Sequence, residues 1–432
     1  MRRIIAGYTV NRLGTWLGAV ALSLAVYDHT HNAIAVAGLL IAAQALPAFI
    51  VPALVARVEA SPRRGELSGL YFFEGVTTIA LGVLLYHFWL PAILLLVALD
   101  GTAALAASAL LRTEAARAGR EHARTEAAHG SQSEQGRNNP RVGGSSVSIE
   151  DAEQQAEQKV NAAVNVAFSA VFVAGPILGG ALVAGAGAPT ALFLDAASFL
   201  ICGALLVDLR PHVEEAEGST VRARLRAAWD FINKAPALRA LLLTQTAALV
   251  FFESAAPIEV AYTKSTLHAG DRGYGLLVTM WGIGVVAGSI VFARAERRSL
   301  GRMVSLGTVA VGLAYVGFAA APSLAVACVA AVVGGAGNGM QWAPLVSAIQ
   351  LLTPSQLHGR VMGAMESLGA ISPAIGLALG GALVAITSAR TAFLVVGLGA
   401  ALATLAFMRI PIEAEAAAEL REPEHEPAAH VH

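Results

Sequence analysis

Apolar residues are gathered into long runs along this chain, separated by short polar breaks. Twelve runs come close to the ~20 residues that a membrane-spanning helix requires. They fall at about 4–27, 33–56, 68–87, 90–111, 161–186, 189–208, 239–260, 274–293, 303–321, 324–350, 361–386 and 390–409. A helix satisfies its own backbone hydrogen bonds, so a bundle of such helices is stable in lipid. The pattern predicts an all-α integral membrane protein with twelve transmembrane helices.

Two stretches of the pattern repeat. "GGALVAGAGAPTA" at 179–191 and "GGALVAITSARTA" at 380–392 agree at nine of thirteen positions, 201 residues apart. Each covers the end of one run and the start of the next, the fifth and sixth in one case and the eleventh and twelfth in the other. "ARVE" at 56–59 and "ARAE" at 293–296 follow the second and eighth runs, 237 residues apart. Run n therefore matches run n+6, and the difference of 36 between the offsets marks an insertion in the first half. The long polar stretch at 113–158 supplies it. Such a parallel repeat is the arrangement of the two six-helix halves of major facilitator transporters. The expected organisation is 1–112 with 159–208 as the first half, 113–158 as a polar insertion, 209–238 as a linker, 239–409 as the second half and 410–432 as an acidic tail. Within the linker, Leu225, Trp229 and Ile232 at i, i+4 and i+7 predict a short amphipathic helix on the membrane surface.

Charge sharpens this picture. Hydrophobic residues make up 56% of the chain and charged residues 14%, against about 25% charged in soluble domains. With twelve spans, 26 of the 29 Lys and Arg residues share one side, and Lys264, Arg272 and Arg390 lie on the other. Basic residues stay cytoplasmic, which places both termini inside and the chain in the plasma membrane. Cys202 and Cys328 sit in apolar runs without metal or redox spacing. The glycines at 282, 284 and 288 and the run "GGAGNG" at 334–339 resemble nucleotide loops, but no strand precedes them, so they read as close helix packing.

A family resemblance rests on particular stretches. The fifth run reads "AGPILGG", with Gly175, Pro176, Gly179 and Gly180. It resembles the Gly-x-x-x-Gly-Pro-x-x-Gly-Gly signature of helix 5 in major facilitator drug and proton antiporters, with Val171 in place of the first glycine. "LDAASFL" at 194–200, "FINKAPALRALLL" from Phe231 and "LHGRVMGAMESLG" at 357–369 resemble the macrolide-efflux and siderophore-exporter branch of that superfamily. Two departures stand out. The superfamily's Gly-x-x-x-Asp-Arg loop after helix 2 has Pro52 and Ala56 at the Gly and Asp positions, although Arg57, Arg63 and Arg64 remain. The Arg often found in helix 4 of drug antiporters has no counterpart near Val97. Arg294, Arg297 and Arg298 form a similar basic cluster after the eighth run, and the two clusters are the cytoplasmic-gate candidates.

Charged groups in hydrocarbon cost at least about 2.5–3.5 kcal/mol each, so those present are functional candidates. The resemblance implies that helices 1, 4, 7 and 10 line a central cavity. Arg12, Asp100 and Glu253 lie near mid-depth of the first, fourth and seventh runs. A carboxyl suits proton coupling, because desolvation favours its neutral form and a nearby cation its charged form. Asp100 and Glu253, tuned by Arg12, are the proton-coupling candidates. Asn11, Gln245, Asn338, Gln341 and Trp342 are the substrate-cavity candidates. Glu74 and Asp195, on the third and sixth runs, read as structural hydrogen-bonding groups.

The expected function is export of a small amphipathic or hydrophobic molecule in exchange for protons, by alternating access between the halves. The expectation includes no cofactor beyond a proton gradient, no metal, no nucleic-acid partner, no catalytic set and a monomer as sufficient unit. Uptake by the same fold, or a non-transporting scaffold or sensor, are the alternatives.

Overall fold

The computed structural model describes residues 2–48, 50–51, 65–108, 110–111, 171, 173–207, 229–294, 299–354 and 357–410. Among them there is no strand. The helices are α1 (Arg2–Thr30), α2 (Ala33–Leu40, continued by a π turn over Ile41–Ala45), α3 (Glu66–Leu84), α4 (Leu90–Ser108), α5 (Val173–Ala186), α6 (Ala188–Leu205), α7 (Pro236–Ala261, continued by a π turn over Tyr262–Thr266), α8 (Gly270–Ala293), α9 (Leu300–Ala320), α10 (Leu324–Leu351), α11 (His358–Ile386) and α12 (Ala389–Phe407). Each falls on one apolar run. Eight are long and apolar enough to cross a membrane, and α2, α5 and α11 contribute shorter apolar stretches. The remaining helix, α1, is 29 residues long. Large apolar side chains such as Val76, Leu95, Val329 and Leu402 point outward, the pattern of a lipid-facing surface.

Where helices outrun the apolar pattern, polar side chains bond back to their own backbone. Thr30 donates to the carbonyl of Val26 at 2.6 Å, extending α1 to that residue. Thr263 and Ser265 donate to the carbonyls of Glu259 and Ala261, carrying α7 beyond the run that ends near 260. Pro236 opens α7 within its first turn, where its missing N–H is not needed. Between α5 and α6 stands Gly187 alone, at φ 83°, a left-handed conformation that glycine adopts without steric cost. Of the linker helix, residues 229–234 are described. Ile232 is buried against α7, α9, α10 and α11, and Trp229 is exposed.

Contacts divide the helices into two compact units. The first holds α1–α6 with residues 269–279 at the start of α8, and the second holds α7, the rest of α8 and α9–α12. Within each unit the same helices touch. In the first unit α6 lies along α1 and α3; in the second, α12 lies along α7 and α9.

The repeat holds contact by contact. Gly175 and Gly179 of α5 abut Trp16 and Val20 of α1. In the second unit Gly376 and Gly380 of α11 abut Glu253 and Pro257 of α7. The glycines are 201 apart and their partners 237 apart. Gly75 of α3 faces the Ala196 carbonyl and Leu200 of α6, while Gly312 of α9 faces the Gly397 carbonyl and Ala401 of α12. The same two offsets relate them. At a third contact the sizes are exchanged, Gly14 against Ser198 in one unit and Phe251 against Gly399 in the other. The glycines of α8 and α10 also pack closely, Gly284 against Gly335 and Gly288 against Ala336, as their sequence context indicated.

The second unit carries a buried aromatic cluster of Tyr262, Tyr315, Phe318 and Phe393. The rings of Phe318 and Phe393 lie 4.9 Å apart, and Tyr262 donates to the Phe318 carbonyl at 2.7 Å. Arg390 donates to the carbonyls of Ala319 and Ala321 at 2.8 and 2.7 Å, closing the C-terminal end of α9.

A side chain at Gly380 would run into the Ser254 carbonyl and Pro257, whereas nothing lies within 4 Å of a side chain added at Gly38. Gly380→Val is expected to destabilise the protein by about 1–3 kcal/mol through overpacking. Gly38→Ala is expected to leave it unchanged or slightly stabler. Melting curves in detergent compare the two.

Candidate functional site

In the first unit, four helices bring charged side chains together. α3 supplies Glu74, α4 Asp100, α6 Asp195 and α1 Arg12. Glu74 lies within electrostatic reach of Asp100, Asp195 and Arg12, and Asp195 within reach of Asp100. The arrangement follows from the local packing. Gly14 and Gly18 of α1 leave the space that the Asp195 carboxyl fills, and a side chain at either glycine would meet it.

The carboxyls differ in their surroundings. Asp100 is half-buried, and its Oδ1 accepts hydrogen bonds from Thr77 at 2.6 Å and Thr78 at 3.4 Å. Glu74 and Asp195 are 1% and 5% exposed, and Glu74 Oε1 and Asp195 Oδ1 have no hydrogen-bond partner. Arg12 donates from Nη2 to Ser108 Oγ at 3.2 Å. Beside it Asn11 is buried, with its Nδ2 unpartnered. The hydroxyl of Tyr71 and the thiol of Cys202 pair next to this group. Among the described residues no set of His, Cys, Asp and Glu converges closely enough to hold a metal ion.

The second unit contains a cavity of about 310 Å³ between α7, α10 and α11. Leu242, Leu249, Val346, Leu368 and two methionines, Met362 and Met365, give it apolar walls, with Gln245, Thr246 and Trp342 as its polar edges. Two of the expected cavity residues, Gln245 and Trp342, therefore share one cavity. Gln341 turns instead toward α9, where its Oε1 accepts from Thr308 at 2.9 Å. Asn338 is half-buried and is not among the residues that line the cavity. Glu253 is half-buried on the α7 face that packs on Gly376, in electrostatic reach of Tyr315.

The motif residues of α5 divide between two neighbours. Gly175 and Gly179 face α1. Gly180 and the Pro176 carbonyl meet Gly275 in the first turns of α8, the part that belongs to the first unit. Of the basic gate candidates, Arg294 is exposed at the end of α8. Arg57, Arg63, Arg64, Arg297 and Arg298 lie outside the described residues, as do the 113–158 insertion, Leu225 and the tail from 411.

Solved structures share this architecture. A nucleoside transporter, NupG, aligns with a TM-score of 0.67 at 12% identity, over 94% of this chain and 98% of that one. A bacterial homologue of the iron transporter ferroportin, in an inward-facing state, aligns with a TM-score of 0.65 at 16% identity, over 94% and 97%. The fold is that of the major facilitator superfamily. Residues 241–431 match the family model described as Major Facilitator Superfamily. Over 236 residues the chain is 24% identical to "Uncharacterized MFS-type transporter YfiS" of Bacillus subtilis (strain 168), covering 52% of this chain and 57% of that protein. The match thus spans little more than half of that relative's length. At these identities the solved structures speak for the major facilitator fold alone.

The account of the charged group has a direct check. Thr77→Val removes a short hydrogen bond to a carboxyl and is expected to cost about 1–3 kcal/mol of stability. Thr77 and Asp100 are in contact, so their effects should not add. In an Asp100→Asn background the Thr77→Val penalty should fall below half, as measured by thermal melts of the four proteins.

Proposed function

We propose that this chain is a secondary active transporter that exports a small amphipathic or hydrophobic compound in exchange for protons. One observation carries the reading: a membrane-embedded bundle combines an apolar cavity of about 310 Å³ with carboxyls buried among its helices. A cavity of that size accommodates a small organic molecule. Among the described residues its walls offer Gln245, Thr246 and Trp342 for hydrogen bonding and stacking and no formally charged side chain, which favours a neutral or weakly basic substrate. The "AGPILGG" stretch of α5 and its likeness to antiporters support export over uptake. The charge bias of the polar segments supports a plasma-membrane protein with cytoplasmic termini, and two covalently joined halves make a monomer sufficient.

Asp100 and Glu253 are the coupling carboxyls of this reading, and Arg12 is the internal cation of the first unit. The test is gradient-driven accumulation of a panel of lipophilic dyes and siderophores in inverted vesicles. Trp342→Ala and Gln245→Ala should each raise KM by roughly 5–30-fold, the loss of one aromatic or hydrogen-bonded contact of about 1–2 kcal/mol. Asp100→Asn or Glu253→Gln should abolish accumulation and leave substrate exchange intact. Absence of gradient-dependent accumulation for every compound, or unchanged pH dependence in both carboxyl variants and their double variant, would contradict the reading.

A further inference from the structure

The two offsets of the repeat assign three charged residues of the first unit a counterpart in the second. Gly75 matches Gly312, so Glu74 stands where the second unit has Val311. Ser198 matches Gly399, so Asp195 stands where it has Val396. Gly14 matches Phe251, so Arg12 stands where it has Leu249. Val311 and Val396 are buried core residues. The same packing frame is thus built once with apolar side chains at these positions and once with charged ones. The frame itself needs no charge there.

Charge balance then decides what the cluster holds. Three carboxyls, Glu74, Asp100 and Asp195, lie in mutual electrostatic reach beside one guanidinium, Arg12. In a low-dielectric interior three anions against one cation are strongly repulsive. Neutrality requires two of the three carboxyls to carry protons. Asp100 is the one with two hydroxyl donors on its oxygen, and such bonds favour the anion. Glu74 and Asp195 each keep a buried oxygen, Oε1 and Oδ1, without a hydrogen-bond partner, although the Ser198 hydroxyl bonds the Asp195 carboxyl. The other titratable groups facing them, Tyr71 on α3 and Cys202 on α6, pair with each other.

We propose that Glu74 and Asp195 form a proton-binding pair inside the first six-helix unit, with Asp100 the anion of the group and Arg12, in electrostatic reach of Glu74, its cation. The pair extends the export reading by giving it a proton site on α3 and α6, beyond the candidates on α4 and α7. Arg12 and the two glycines that accommodate Asp195 share α1. Movement of α1 against α6 would alter the cation's distance and the space around the carboxyl together, and so release or recapture protons.

Infrared difference spectroscopy on the purified full chain, recorded while pH is changed, tests the pair without requiring transport. At neutral pH the wild type should show a carboxylic-acid carbonyl band. Glu74→Gln and Asp195→Asn should each remove part of it, and Asp100→Asn should remove carboxylate intensity instead. Where either variant fails to fold, Glu74→Val or Asp195→Val takes its place, since valine is the residue used at the equivalent position. An acid band unchanged in all of these variants overturns the proposal. So does a sodium titration that shifts the carboxylate bands at fixed pH, which would make the site a metal-cation site. Flux measured in parallel separates the two readings. Proton-driven export with unchanged bands leaves the export reading and removes the pair. The expected bands without proton-driven export leave the pair and remove the export reading.

Discussion

Close approach of helix backbones is the constraint on which this structure rests. In lipid the hydrophobic effect gives helices little reason to associate, and they gain stability from van der Waals packing at small residues. Gly175 and Gly179 let α5 settle on α1, and Gly376 and Gly380 let α11 settle on α7. Gly75 does the same for α3 on α6, and Gly312 stands at the matching contact of α9 with α12. These six positions form one design used twice, and they fix which faces of which helices are spent on packing. The side chains on the remaining faces are free to differ between the units, and they do.

The difference is chemical. At equivalent positions the first unit has Arg12, Glu74 and Asp195 and the second has Leu249, Val311 and Val396. The first unit therefore accepts charges at three positions where its twin is apolar, while the second carries Glu253 and Glu259 where the first has Trp16 and Leu22. Replacing buried ionic groups by well-packed apolar ones is often neutral or stabilising by about 1–4 kcal/mol, so stability is a poor explanation for keeping them. In the second unit, Leu249 is instead part of the wall of an apolar cavity. The major facilitator fold is built here from one half with a cluster of three buried carboxyls and an arginine and one half with an apolar cavity.

Much of this was legible in the sequence. Apolar runs gave twelve helices because lipid demands uninterrupted apolar length, and departures arose where Thr30, Thr263 and Ser265 hid their polarity against the backbone. The repeat was visible in "GGALVA" because its first glycine stands at the same helix contact in both units, α5 on α1 and α11 on α7. Gln245 and Trp342 share the second unit's cavity, but the helical rotation that turns Gln341 toward Thr308 could not be read from mid-depth position alone. On sequence alone Glu74 and Asp195 read as structural hydrogen-bonding groups. Depth and helix number say nothing of what a residue faces. The offsets of 237 and 201 set Val311 and Val396 against them, which marks both as additions to the frame.

The central claim is that the charges of the first unit are functional additions to a frame that does not need them. The most direct test gives the first unit its twin's residues, combining Arg12→Leu, Glu74→Val and Asp195→Val with Asp100→Asn so that no lone charge remains. The melting temperature of this variant in detergent, read beside its substrate exchange and its response to a pH gradient, decides the matter. The account predicts a folded protein at least as stable as the wild type, with exchange retained and the response to the gradient lost. A variant that fails to fold, or that still responds to the gradient as the wild type does, would contradict it.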